Sequence, residues 1–201
     1  MFPEITQHIL SFQSHQIAEE RKSVLLPLAT YLKNKKANNQ AIRLNFICTH
    51  NSRRSHLSQI WAQTMAHHFG IPNVSCYSGG TEATAVFPKV VETLIIQGFR
   101  IQKLSSHDNP VYAVKFDENE AAVVCFSKCF DNAFNPATGF AAIMTCNSAD
   151  EACPMVHGAE ARFPIKYDDP KAYDGTDLQN SKYAERSLEI AREMWWVFSQ
   201  I

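Results

Sequence analysis

Apolar residues recur at helical spacing within the first forty positions and predict two helices, one over residues 5–12 and a clearer one over residues 24–32. Ser23 is the predicted N-cap of the second helix, which would place Pro27 near its first turn, where proline is tolerated. Residues 33–40 contain no apolar residue larger than alanine and predict a polar linker. We therefore interpret residues 1–40 as an N-terminal helical extension, with packing on the core and homodimerisation both open as its role.

From residue 41 onward the pattern changes to alternating strands and helices. The predicted strands are 43–47, 74–78 and 139–145, and the predicted helices are 57–69, 88–95 and about 181–199. Such alternation favours a parallel sheet with right-handed crossovers and with ligands at the carboxyl ends of the strands. Residues 41–201 are predicted to form this α/β domain.

Two apolar runs, 111–116 and 121–126, flank the acidic segment Asp117–Glu120. Short apolar runs on either side of a polar turn are typical of a β-hairpin. The hairpin interrupts the alternation of strands and helices.

Composition narrows the class of protein. The chain has 201 residues and a net charge of −1 with both signs interspersed, which gives no reason to expect nucleic acid as a partner. No apolar run approaches the roughly 20 residues that span a bilayer, and the N-terminus lacks a signal-peptide core. We expect no membrane association, a cytoplasmic location, and thiols instead of disulfides at the six cysteines.

The strongest chemical signal lies between the first predicted strand and its helix. Cys48 ends the strand, a polar loop follows, and Arg54 and Ser55 begin the helix. Backbone N–H groups at such a joint have no carbonyl partners and form a cradle for a tetrahedral oxyanion, and the same field favours a thiolate. Arg54 can grip two oxygens of the anion, while the Ser55 hydroxyl can donate to the sulfur.

The segment Cys48–Ser55 resembles the Cys-x5-Arg-Ser phosphate loop of the low-molecular-weight protein tyrosine phosphatase superfamily, which includes the thioredoxin-coupled arsenate reductases. The resemblance covers roughly residues 42–200. The usual family member is shorter at residues 110–130, so the resemblance implies that the predicted hairpin is an insertion close to the pocket. It implies a three-layer α/β fold with a central, mainly parallel four-stranded sheet flanked by helices. It also implies an oxyanion-binding loop that consists of Thr49, His50, Asn51, Ser52, Arg53, Arg54 and Ser55.

Two loop residues depart from the family pattern. The family usually has Gly where this chain has His50, and often Cys where it has Arg53. His50 puts a side chain at a crowded backbone turn. Arg53 is expected to add a positive charge beside the cradle.

The resemblance extends to two later segments. Asp169 precedes Pro170 and matches the general acid of the superfamily, with Asp168 as the fallback. Cys146 ends a predicted strand, and Cys153 follows it at the spacing of the redox pair in the arsenate reductases. The resemblance implies that Cys48, Cys146 and Cys153 form a thiol relay that thioredoxin reduces.

Three functions remain open at this stage. The three thiols favour arsenate reduction; hydrolysis of phosphomonoesters by a tyrosine phosphatase is the alternative, and a non-catalytic oxyanion-binding module is the second alternative. The catalytic residues are predicted to be Cys48, Arg54, Asp169, Cys146 and Cys153. No cofactor and no metal ion are expected, because Cys125 and Cys129 have no complementary Cys or His pair nearby.

Overall fold

The computed structural model describes residues 1–13, 16–152 and 155–201. Its helices are α1 (Pro3–Phe12), α2 (Glu19–Ala37), α3 (Arg54–His68), α4 (Pro88–Ile96), α5 (Asn147–Ala152) and α6 (Gln179–Ser199), with a short 3₁₀ helix at Pro170–Tyr173. The strands are β1 (Ile42–Cys48), β2 (Val74–Gly80), β3 (Arg100–Lys103), β4 (Tyr112–Lys115), β5 (Val123–Cys125), β6 (Phe140–Met144) and β7 (Ala159–Pro164).

The central sheet has four strands in the order β2-β1-β6-β7, and every neighbouring pair is parallel. Helices flank the sheet, as the predicted fold class requires, and the prediction is confirmed. Strand β1 lies in the interior of the sheet, and five of its last six residues are at most 4% exposed. The carboxyl ends of β1 and β6 lie side by side, with Ile47 opposite Met144. Cys48 and Cys146 are therefore delivered to the same edge of the sheet.

The N-terminal extension packs into the same hydrophobic core as the α/β elements. Ile5 and Ile9 of α1 are fully buried, and Phe12 meets Trp61 of α3 with ring centroids 6.5 Å apart. On α2, Arg21 forms a two-pronged ion pair with Glu193 of α6, at 2.6 and 2.7 Å. The extension thus covers α3 and α6.

Two expectations about the extension are wrong. Helix α2 begins at Glu19, so Pro27 lies inside it, and Ser23 Oγ donates to the Glu20 carbonyl at 2.6 Å instead of capping the helix. The burial of Leu25 and Leu28 on either side of Pro27 keeps the helix continuous. The predicted linker is also mostly helical, because α2 continues to Ala37 through lysines, which favour helix.

The predicted hairpin is present and belongs to a second, antiparallel sheet with the order β3-β4-β5. The segment that follows β5 returns to the central sheet, where Gly80 N donates to the Lys128 carbonyl at 2.8 Å. At Cys76, the outward backbone groups of β2 are satisfied by side chains: Gln63 accepts from Cys76 N, and Gln59 donates to Cys76 O. The edge of β2 beside the insertion is thus capped instead of open for strand pairing.

Candidate active site

The loop between β1 and α3 is held from outside through its carbonyl groups. Each backbone carbonyl from Cys48 to Ser52 accepts a hydrogen bond from a residue outside the loop. The donors are Thr81 N at 3.1 Å, Glu82 N at 2.8 Å, Ser127 Oγ at 2.9 Å, His56 Nε2 at 2.9 Å and Phe87 N at 3.0 Å. The described residues contain no cis peptide bond. In a trans peptide the N–H points opposite to the carbonyl, so the N–H groups of residues 49–53 face away from these donors and toward the inside of the loop.

The Ser55 hydroxyl group is placed to donate a hydrogen bond to the Cys48 sulfur. Cys48 is 4% exposed, and its Sγ lies 3.1 Å from Ser55 Oγ. The Asn51 side-chain amide donates to the same Ser55 oxygen at 2.8 Å. Because that lone pair is taken, the Ser55 proton is free to point at the sulfur.

Asn51 holds the turn of the loop. Its φ is +44°, in the left-handed region that Asn tolerates better than most residues, and its side-chain oxygen accepts from Lys128 N at 3.0 Å. His56 Nε2 faces the Asn51 carbonyl, which can only accept, so Nε2 carries the proton and Nδ1 accepts from Ser78 Oγ at 3.2 Å. Burial, with the Lys128 ammonium nearby, lowers the pKa of His56 to about 3 and keeps the ring neutral.

Arg54 and Asp169 meet across the mouth of the loop. The Arg54 guanidinium donates to Asp169 Oδ2 at 2.6 Å and to the Tyr167 carbonyl at 2.9 Å. Asp169 also caps the 3₁₀ helix by accepting from Lys171 N at 3.0 Å. The side chain of Asp168 is 97% exposed and lies 3.4 Å from Arg186. Of the two candidate acids, Asp169 is therefore the one that reaches the loop.

Arg53 lines the cavity beside the cradle, but its positive charge is paired with a carboxylate. Its guanidinium donates to Asp174 Oδ2 at 2.7 Å and to Tyr183 Oη at 2.6 Å, and it stacks 3.9 Å from the centre of the Phe87 ring. The Asp174 carboxylate neutralises the charge of Arg53. Its backbone N–H remains part of the inner face of the loop.

His50 is about half exposed, and its ring lies 3.7 Å from the Glu82 carboxylate, away from the base of the loop. The insertion supports its backbone: Ser127 Oγ donates to the His50 carbonyl and accepts from Thr84 N at 2.7 Å. Asn109 holds Ser127 through both its backbone N–H and its carbonyl. The sequence did not predict these supporting residues, because nothing near them in the sequence indicates a contact with His50.

Cys146 lies next to the loop at the start of α5. Its Sγ is 3.5 Å from Thr49 Oγ1 and accepts from Ala149 N at 3.4 Å, and the residue is 2% exposed. Cys48 and Cys146 belong to one small buried cluster with Ile47 and Met144. The third thiol of the predicted relay, Cys153, lies outside the described residues.

The remaining described cysteines are placed differently. Cys76 and Cys125 are buried away from the loop, and burial raises the pKa of both thiols, that of Cys125 to about 12. Cys129 is half-buried beside Gly80. Across residues 1–13, 16–152 and 155–201, no group of three or more His, Cys, Asp or Glu side chains is arranged to hold a metal ion.

The cavity over the loop is small and polar. Of the described residues, those that line it are Cys48, His50, Ser52, Arg53, Arg54 and Asp169. None of these side chains carries a phenyl or indole ring that could flank an aryl group. The arrangement can bind a small tetrahedral anion against the amides, with a sulfur below it and a carboxyl group at its mouth.

Comparison with known proteins agrees with this geometry. Residues 43–120 match the family model of the low molecular weight phosphotyrosine protein phosphatase. No curated protein matches the sequence. A YwlE mutant from Bacillus subtilis has a similar structure, with a TM-score of 0.53 and 15% identity over 80% of this chain and 98% of that one. The chain has the fold of a low-molecular-weight phosphatase.

Two further solved structures are similar. A low molecular weight phosphotyrosine phosphatase from Vibrio cholerae O395 has a TM-score of 0.51 and 13% identity, covering 79% of this chain and 95% of that one. The low molecular weight protein tyrosine phosphatase from T. tengcongensis has a TM-score of 0.51 and 14% identity, covering 80% and 97%. The resemblance to the superfamily is confirmed, in sequence over residues 43–120 and in the phosphatase fold over most of the chain.

No helix in the parts of the chain that the structure describes is both long and apolar enough to cross a membrane.

Proposed function

We propose that this chain is a thiol-dependent enzyme that acts on a tetrahedral oxyanion, and that its reaction is the reduction of arsenate. The observation that carries the proposal is the position of Cys146, whose sulfur lies 3.5 Å from the hydroxyl of Thr49, the neighbour of Cys48. A phosphatase needs no second thiol at this place. The polar walls of the cavity also suit an inorganic anion better than an aryl phosphate.

In the first step the Cys48 thiolate attacks arsenic while the loop amides and Arg54 hold the oxygens. An S–As bond forms, and one oxygen leaves as water after it takes a proton from Asp169. The incoming anion competes with Asp169 for the Arg54 guanidinium. The released Asp169 carboxyl group is then free to turn toward the leaving oxygen and to act as the general acid.

Reduction follows by thiol exchange. The Cys146 thiolate attacks the Cys48 sulfur, so that an S–S bond forms and the S–As bond breaks. The electron pair of that bond stays on arsenic, which leaves as arsenite in the +3 state. Cys153 then attacks Cys146 and frees Cys48, and an external dithiol of the thioredoxin type reduces the Cys146–Cys153 disulfide.

The test is arsenate-dependent oxidation of reduced thioredoxin. We expect Cys48→Ser and Cys146→Ser each to lower turnover at least a hundredfold, because each removes one sulfur of the first exchange. Cys129→Ser, which alters a half-buried thiol outside the proposed relay, should retain the wild-type rate. A wild-type protein that oxidises no thioredoxin in the presence of arsenate would refute the reductase.

Hydrolysis of phosphomonoesters is the second candidate, because the loop, Arg54 and the adjacent Asp169 would serve its first step equally well. Water would then cleave the phosphorylated Cys48, and Cys146 would have no part. Turnover of an aryl phosphate that Cys48→Ser abolishes and Cys146→Ser leaves intact supports this step. Turnover of either substrate argues against a module that only binds oxyanions.

A further inference from the structure

Two adjacent arginines at the start of α3 point to opposite ends of one short segment. Arg54 bonds the Tyr167 carbonyl and the Asp169 carboxylate, at the beginning of residues 167–174. Arg53 bonds the Asp174 carboxylate, at the end of the same residues. We call residues 167–174 the acid segment, because it carries the proposed general acid.

The acid segment is short and internally bonded. Asp169 accepts from Lys171 N at 3.0 Å, and Asp174 N donates to the Lys171 carbonyl at 3.0 Å. The 3₁₀ helix Pro170–Tyr173 fills the space between them. A shift of the Asp174 end is therefore transmitted to Asp169 instead of being absorbed by a slack loop.

Arg53 holds the Asp174 end through a closed set of contacts. Its Nε donates to Tyr183 Oη, Tyr183 Oη donates to Asp174 Oδ1 at 2.6 Å, and Arg53 Nη2 donates to Asp174 Oδ2. The Arg53 side chain is 11% exposed, and the carbon of its guanidinium lies 3.9 Å from the centre of the Phe87 ring. Phe87 N in turn donates to the Ser52 carbonyl of the loop. The planar fork of arginine makes all these contacts at once, which a lysine cannot do.

We propose that Arg53 is a positioning residue that fixes the Asp169 carboxyl group over the loop by anchoring the far end of the acid segment. The proposal rests on the proposed function, since it assigns Asp169 the part of general acid. It predicts a selective defect: when Arg53 is changed, protonation of the leaving oxygen suffers more than binding of the anion or attack by sulfur. General acids contribute about 10²–10⁴-fold to rate, so a misplaced one leaves a measurable loss.

The test compares two substrates that differ in their need for a proton. p-Nitrophenolate leaves well unprotonated, whereas phenolate leaves well only when protonated. We expect Arg53→Lys to lower kcat/KM for phenyl phosphate at least about tenfold and that for p-nitrophenyl phosphate less than about threefold. Asp169→Asn should show the same pattern more strongly, and Tyr183→Phe, which removes one hydroxyl, a weaker version of it.

Arg100→Lys is the matched control, because Arg100 also pairs with a carboxylate, Glu118, and stacks 4.0 Å over a ring, Phe2, away from the loop. It should leave both substrates unaffected. An equal loss for both substrates in Arg53→Lys would mean a merely structural role and would overturn the proposal.

Hydrogen exchange decides the proposal independently of turnover. In Arg53→Lys, the amides of residues 171–174 should exchange at least about tenfold faster than in the wild type, while those of β1 stay unchanged. Unchanged exchange in the acid segment overturns the proposal. If the wild type hydrolyses neither phosphate ester, the hydrolase candidate is refuted, and the exchange result still decides whether Arg53 anchors the segment.

Discussion

Under the loop, the position of each proton follows from what its neighbours can accept. The Asn51 carbonyl accepts from His56, His56 accepts from Ser78, and the Asn51 amide donates to Ser55, whose proton faces Cys48. This chain of bonds is the one that a neutral imidazole makes. A charged ring would be buried without solvent and would place a second cation near the buried Lys128.

The buried His56 predicts a pH dependence of stability. Its pKa is about 3 when folded and near the ordinary 6.5 when unfolded, so between these values the unfolded chain binds a proton that the folded chain does not. His56 therefore does not affect the free energy of unfolding above pH 6.5. As the pH falls from 6.5 toward 3, that free energy decreases by about 1.4 kcal/mol per pH unit. Urea unfolding between pH 7.5 and 5.0 measures it.

His56→Gln keeps an amide donor for the Asn51 carbonyl but cannot titrate, so its stability should change less over this range, by about 2 kcal/mol. His107 is exposed, and His107→Gln should follow the wild type. If His56→Gln loses stability toward pH 5 as steeply as the wild type, the neutral buried ring is not the cause.

The sequence was sufficient for residues whose chemistry depends on near neighbours. Cys48, Asn51, Arg54 and Ser55 lie within one turn of loop and helix, and the pattern predicted that they would come together. Arg53 could not be interpreted in this way, because its partners Asp174 and Tyr183 lie 121 and 130 positions further along. Its neighbours in sequence suggested an anion ligand, whereas its neighbours in space occupy the guanidinium.

At the scale of elements, the loop depends on how closely β2 can approach it. A Cβ atom on Gly80 would lie 2.6 Å from the Thr49 carbonyl oxygen and 2.7 Å from Asn51 N, and would also collide with the Glu82 carbonyl. These are backbone atoms, which cannot rotate aside. Glycine at the end of β2 is thus what permits the contact between strand and loop.

We therefore expect Gly80→Ala to displace the loop and to lower kcat/KM at least a hundredfold, with a loss of about 2 kcal/mol in the free energy of unfolding. Gly70→Ala serves as the comparison. Gly70 has φ +60° and no atom within 4 Å of an added Cβ, so it should lose about 1 kcal/mol of stability and no activity. Wild-type activity in Gly80→Ala would show that the loop tolerates a shift of β2.

Element boundaries followed the sequence where local signals were strong and departed from it where packing outweighed them. The strand, loop and helix around Cys48 were predicted because apolar runs and a polar loop alternate there. Pro27 was wrongly placed near a helix start, since the burial that carries α2 past it is a tertiary effect. Strand β3 was missed because its four residues, Arg100–Lys103, are mostly polar, and it is defined by pairing with β4.

At the scale of the molecule, the N-terminal extension reaches the acid segment through α6. Arg21 of α2 pairs with Glu193 of α6, and the Arg21 guanidinium lies 5.0 Å from the centre of the Tyr167 ring. Tyr167 begins the acid segment and binds Arg54 through its carbonyl. The apolar stripe of the extension could be predicted from the sequence. The surface that it covers could not, because the sequence of residues 1–40 does not indicate that its partners are α3 and α6.

The shared core predicts that a substitution in α1 changes the stability of the whole fold. Ile9 is fully buried while its neighbour Leu10 is 58% exposed. Ile9→Ala should lower the free energy of unfolding by about 3 kcal/mol, and Leu10→Ala by less than about 0.5 kcal/mol. Urea unfolding followed by tryptophan fluorescence measures both, since Trp61 of α3 contacts Phe12 of α1. If α1 contributed nothing to the common core, the urea midpoint of Ile9→Ala would equal that of Leu10→Ala. A lower midpoint in Ile9→Ala alone means that α1 and the α/β elements unfold together.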